Sequence, residues 1–206
     1  SLTVLTDGSR DKIRWTHEAS GQYSARSAYA VQFQGRVHVD WQKLIWEAKV
    51  PGCIKIFSWL LLQNLLWTCD RLQWRGWPNT YFCPLCVRNL ETALHLVWTC
   101  PLASEVWEKV AARRGCQQFH PGQQFQEDSI ITVFQQIAAN TQPVLQRASN
   151  AIMLLTCWEL WQERNRCVFR GKIPSVQGII QAIEQSIELW RQAAATHLER
   201  PFWDPP

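Results

Sequence analysis

Four residues that ligate soft metals fall in one short stretch: Cys83, Cys86, His95 and Cys100. Their spacing is C-x2-C-x8-H-x4-C. Two thiolates separated by two residues share an ion from a single tight turn. An imidazole and a third thiolate returning from a second segment close a tetrahedron, with Zn–S about 2.3 Å and Zn–N about 2.0 Å. All four corners are protein atoms, so the pattern predicts one structural zinc with no open place for water or substrate. Its binding free energy then contributes to folding of a knuckle over residues 80–101.

No other residues of this kind converge. Cys116 and His120 have the i, i+4 spacing of a ligand pair but lack further ligands, and read as a chance pair. His17, His38 and His197 have no candidate partners nearby in sequence. The acidic residues are dispersed, and no Gly-rich phosphate loop, G-x-S-x-G, H-E-x-x-H or Asp-Asp pair is present. No catalytic residue is therefore expected, and no small-molecule substrate.

Composition bounds the rest. At 47% hydrophobic and 18% charged residues, the chain can bury a core and is not of the disordered class. Thirteen Trp make that core bulky, or leave aromatic surface for a partner. The net charge of +4 is spread over small groups such as Arg10, Lys12 and Arg14, or Arg164, Arg166, Arg170 and Lys172, so it makes no strong case for phosphate binding. Ser1 to Asp11 is polar and lacks the apolar run of a secretory signal, so reduced cysteines and an intracellular site (cytoplasm or nucleus) are expected. The longest apolar run, Ile54 to Leu62, contains Lys55 and is too short to span a bilayer.

The elements that must position these residues read as mostly α. Alternation over residues 12–23 around Ser20-Gly21 suggests a short β-hairpin, and Ser24 opens a helix to about Phe33. Asp40 can cap a helix with Trp41, Leu44, Ile45 and Ala48 on one face. Helices are expected over 54–66, from Thr68 or Asp70 to Gly76, and from Pro101 to Arg114. Gly, Pro and Gln mark 115–127 as a linker. Helices over about 128–139, 143–166 and 175–196 follow, the last striped by Val176, Ile179, Ile180, Ile183, Ile187 and Trp190. The expected domains are 1–114, carrying the knuckle, and a helical region at 128–200 that ends in a helical hairpin.

Beyond the ligands, the chain resembles the zinc-binding domain of reverse transcriptases from plant LINE-type (non-LTR) retrotransposons. The resemblance runs through Ile13-Arg14-Trp15, Gly21 to Tyr29, Trp41 to Trp46, Ile54 to Leu60 and Asp70-Arg71-Leu72. It continues through Cys83, Cys86, Glu91-Thr92, His95-Leu96, Cys100-Pro101 and Val106-Trp107. Trp158, Trp161, Arg164 and Asn165 resemble the W-x-x-W-x-x-R-N segment that often follows this domain. The resemblance implies the four metal ligands named above and a role in holding RNA or DNA, and it does not bring a polymerase with it. The residues lean another way. Three thiolates on Zn²⁺ leave the knuckle near −1, and Arg88 is its sole basic residue between Tyr81 and Cys100, which suits phosphate poorly. An interaction module for an unknown protein partner is therefore expected, with RNA or DNA binding as the alternative. The candidate contact surface is Trp158, Trp161, Arg164, Asn165 and Arg166. The competing reading makes Trp158 and Trp161 core residues that pack this helix on the last one.

Overall fold

A computed structural model describes residues 14–31, 42–120 and 129–193. The chain divides into two compact units, 1–39 and 40–206.

In the first unit, the Trp15 N–H donates to the Gly21 carbonyl at 2.9 Å, and the Gly21 N–H donates to that of Glu18 at 2.9 Å. The Trp15 ring meets His17 and Tyr23 edge-on, at 5.1 and 5.3 Å. The expected β-hairpin is not formed: among the described residues, 14–23 close a loop and contain no strand. The physical reason is that Thr16 to Ser20 are all exposed. An alternating segment with no face to bury gains little from a two-stranded ladder. Helix α1 (Ala25–Val31) follows, opened by Ser24, whose hydroxyl accepts the Ser27 N–H at 3.1 Å.

The second unit is helical. A π-helical turn (Gln42–Trp46) precedes α2 (Gly52–Leu62), α3 (Cys69–Trp74), a second π-helical turn (His95–Thr99) and α4 (Pro101–Arg114). Then come α5 (Ile130–Ala139), α6 (Gln146–Arg170) and α7 (Val176–Ala193). The one β pairing among the described residues is an isolated antiparallel bridge, Phe82 with Leu90.

Helix α6 is the axis. Ser149 to Cys157 are all buried, so this stretch has no solvent face, and α2, α5, α7 and both π-helical turns pack around the helix. An all-round apolar helix belongs in a core. Asn150 Nδ2 donates to the Lys43 carbonyl at 3.2 Å and anchors the first turn, whose Leu44 and Ile45 are buried with Ala48 as their spacing predicts. Asp40 and Trp41 lie outside the described residues.

Helices α4 and α6 end at Gly115 and Gly171, with φ of 63° and 59°, the left-handed C-cap that glycine adopts without a Cβ penalty. The chain turns back after Gly171, where Glu163 accepts the Ser175 N–H at 2.8 Å, and α7 packs on α6 and α4. The α7 stripe is buried at Ile179, Ile180, Ile183 and Ile187 and half-buried at Val176 and Trp190.

The segment read as a linker begins inside the packing. Phe119 is buried, 5.5 Å from the Trp107 ring, and Cys116 is buried beside it; residues 121–128 lie outside the described set. No described helix is long and apolar enough to cross a membrane.

Candidate metal centre

The peptide after Cys83 turns sharply. The Val87 N–H donates to the Cys83 carbonyl at 2.8 Å, and the Cys83 N–H donates to that of Asn89 at 2.8 Å. Leu85 is buried beneath this turn, and Val87 takes a left-handed φ of 54°. That conformation strains a β-branched residue.

The other two ligands come from the second π-helical turn and its junction with α4. The Thr92 hydroxyl accepts the His95 N–H at 3.0 Å, and the Cys100 N–H donates to the His95 carbonyl at 2.8 Å. Pro101 then occupies the first helical position of α4, where its missing N–H is not needed.

The structure brings the four predicted ligands together. One ligand atom from each of Cys83, Cys86, His95 and Cys100 lies within 4.8 Å of the others. The Cys83 and Cys100 sulfurs are 4.0 Å apart, and Cys86 Sγ is 3.4 Å from His95 Nε2. A tetrahedral zinc with ordinary bond lengths has S···S edges of about 3.8 Å and S···N edges of about 3.5 Å, so the donor set fits the ion. His95 Nδ1 lies 3.2 Å from Thr99 Oγ1. With Nδ1–H donating to that hydroxyl, Nε2 is left as the metal-facing nitrogen, the outer-shell arrangement typical of ligating histidines.

Electrostatics prepare the site for a cation. The Cys83 thiol hydrogen-bonded to Cys100 brings the Cys100 pKa down to about 4 against the opposing effect of burial, helped by His95 and by the Ala103 and Leu102 N–H groups opening α4. That same hydrogen bond, with burial, pushes the Cys83 thiol up. His95 is raised by its bond to Cys100. The two thiols are thus driven in opposite directions where a dication would hold both as thiolates.

The remaining candidates are dispersed. Cys116 is buried, which pushes its thiol up to about 12, while His120 is exposed and neither joins a ligand cluster. His17 is exposed beside Trp15. His38 and His197 lie outside the described residues.

The expected contact surface on α6 splits. Trp158 and Trp161 are half-buried and meet Phe57 of α2 at 5.2 and 6.2 Å, whereas the sequence suggested packing on the last helix. Arg166 Nε pairs with Glu163 at 2.7 Å, and Asn165 Oδ1 accepts from Arg164 at 3.3 Å.

Arg164 is not a surface group. Its Nε and Nη2 grip the Glu91 carboxylate at 2.7 and 2.9 Å, and its Nη2 also donates to the Trp67 carbonyl at 3.3 Å. The side chains of Arg164 and Glu91 are 5% and 0% exposed. Sequence reasoning missed this pair, because two charges 73 residues apart carry no local signal. It also missed Trp67, Trp74 and Trp77, which are about half-exposed or more. Arg71, Trp74 and Arg75 at helical spacing were the available clue, since both guanidinium groups lie over the Trp74 ring, at 5.4 and 5.9 Å.

Comparison with known proteins agrees with this geometry. Residues 23–107 match the family described as zinc-binding in reverse transcriptase. A putative ribonuclease H protein of Arabidopsis thaliana is 29% identical over 119 residues, covering 56% of this chain and 19% of that protein. The chain therefore spans about a fifth of that relative's length. No solved structure matches the chain. The segment that matches the zinc-binding family of reverse transcriptases, residues 23–107, encloses all four ligands of the Cys/His centre.

Proposed function

We propose that this chain is a non-catalytic binding module of retrotransposon descent, in which a structural zinc holds one wall of an aromatic groove that takes a protein segment. The groove carries the reading. A cleft of about 890 Å³ lies between the knuckle and the C-terminal end of α6, lined by Trp67, Trp77, Phe82, Trp161, Val168 and Phe169 among others. Trp67 and Trp77 stack at 5.2 Å, and Phe169 is 76% exposed. Open apolar surface of this kind marks interaction sites, and Trp dominates their hot spots.

The charges favour a peptide with apolar anchors flanked by carboxylates. Arg164 and Arg166 are engaged by Glu91 and Glu163. Arg75 lies over Trp67 at 5.3 Å and leaves the rim positive, while the thiolate-rich knuckle disfavours a polyphosphate chain. The four corners of the Cys/His centre are all protein atoms, which suits a structural ion rather than one with an open place for substrate. The ribonuclease H name belongs to a relative several times longer.

One observation favours nucleic acid instead. The Trp–Arg pairs around Trp67 and Trp74 also make a base-stacking platform.

Selection from a random peptide library with zinc-loaded protein, beside a salt titration of single-stranded RNA binding, separates the two. The protein reading predicts enriched apolar-acidic peptides whose capture falls on Trp77→Ala with the melting temperature unchanged. RNA affinity that is high at low salt and collapses as salt rises, with no peptide enrichment, overturns it.

A further inference from the structure

The structure assigns Arg164 a role as a positioning residue of the metal centre, acting from α6 through Glu91. This inference goes beyond the proposed function and does not depend on what the groove binds.

Glu91 sits between the two ligand pairs, after Cys86 and before His95. Its backbone N–H donates to the Tyr81 carbonyl at 3.0 Å, two residues before Cys83, and its carbonyl accepts the Asp70 N–H at 3.2 Å. The next residue, Thr92, holds the turn that presents His95. The Glu91 carboxylate accepts the Cys69 N–H at 2.9 Å as well as both Arg164 nitrogens. Both halves of the ligand set are therefore tied to Glu91, one through its backbone N–H and the other through its neighbour Thr92, and its buried carboxylate is neutralised by a residue of another helix.

A buried carboxylate without its cation is strongly penalised and moves toward water. Removing Arg164 would pull residue 91 outward and spread Cys83 from His95. Linkage makes the effect mutual: if the pair favours the zinc-ready loop, zinc favours the pair by the same factor. The knuckle and the C-terminal half of α6 then set as one piece, and the W-x-x-W-x-x-R-N segment is tied physically to the domain that precedes it.

The test is zinc affinity by chelator competition, at a temperature where circular dichroism shows each variant folded. It is run on the full chain for Arg164→Met, Glu91→Gln, the double variant and Ile137→Ala. The last opens a cavity in α5, where Ile137 is fully buried, and reports on general destabilisation alone. Arg164→Met and Glu91→Gln are expected to weaken zinc on the order of ten-fold or more. The double variant should lose no more than the worse single, and Ile137→Ala should leave affinity unchanged. The cobalt-substituted Arg164→Met protein should show an altered ligand-field spectrum. If Arg164→Met does not fold, Arg164→Lys keeps the charge without the two-pronged grip and should show a smaller loss. Native zinc affinity in whichever Arg164 variant folds overturns the assignment, and so does equal weakening by Ile137→Ala.

Discussion

At the scale of single residues, the centre holds two hydrogen-bonded thiols pushed in opposite directions, Cys100 down and Cys83 up. Cys100 has a folded pKa of about 4 against an ordinary 9.0. A depressed pKa contributes stability that is complete above the unfolded value and is lost as pH falls through about 4. Cys83 is raised instead, so it carries its proton at neutral pH and that proton must leave when the metal binds. Zinc added to metal-free protein at pH 7 should therefore acidify a weakly buffered solution, read with an indicator dye, and affinity should fall on acidification. Uptake without proton release would refute this account. The ligands themselves were legible because all four lie within one local stretch and soft donors at such spacing have few other uses. Glu91 and Arg164 were not, since charged residues read as surface until their partner is seen to be buried with them.

Among the elements, legibility followed amphipathicity. Helix α7 shows one apolar stripe, so its pattern located it well. Helix α6 is buried on all sides from Ser149 to Cys157, so its period is blurred and its end at Gly171 lay beyond the expected 166. Helix α2 stops at Leu62, ahead of the expected 66, because Asn64 turns left-handed with φ 53°. The junction between the knuckle and α4 rests on Trp107. Its ring is fully buried against Trp98 and Phe119, and its Nε1 donates to the Val97 carbonyl at 2.7 Å. Trp107→Phe deletes ring volume and leaves that carbonyl unpaired in the π-helical turn that carries His95. The expected loss is about 2–4 kcal/mol from the cavity and the orphaned acceptor together, measured by denaturant unfolding of the zinc-loaded chain. A loss below about 1 kcal/mol would mean that the turn relaxes to find another donor.

For the whole molecule, the question is how far loss of the metal travels. Zinc binding in small closed sites is worth about 10 kcal/mol or more, comparable to the stability of an entire domain. The second unit, however, has two sources of order. The knuckle depends on the ion, on the Glu91–Arg164 pair and on Trp107. The other source is the apolar packing of α5, the first half of α6, and Ile179 to Ile187 of α7, in which no zinc ligand takes part. Chelation should therefore release the molecule in order. Amide exchange should accelerate first over 80–101 and in α3, whose Cys69 and Asp70 N–H groups are held by Glu91. Helix α4 should follow through Trp107. Protection at 150–157 and 179–187 should persist longest, because an apolar core keeps its burial free energy whatever happens to the thiolates. Hydrogen exchange with mass spectrometry, run before and after chelator, reads this order directly. Simultaneous loss of protection in all of these segments would show that the zinc centre and the α5–α7 core are a single cooperative unit, and unchanged exchange over 80–101 would show that the knuckle folds without its metal.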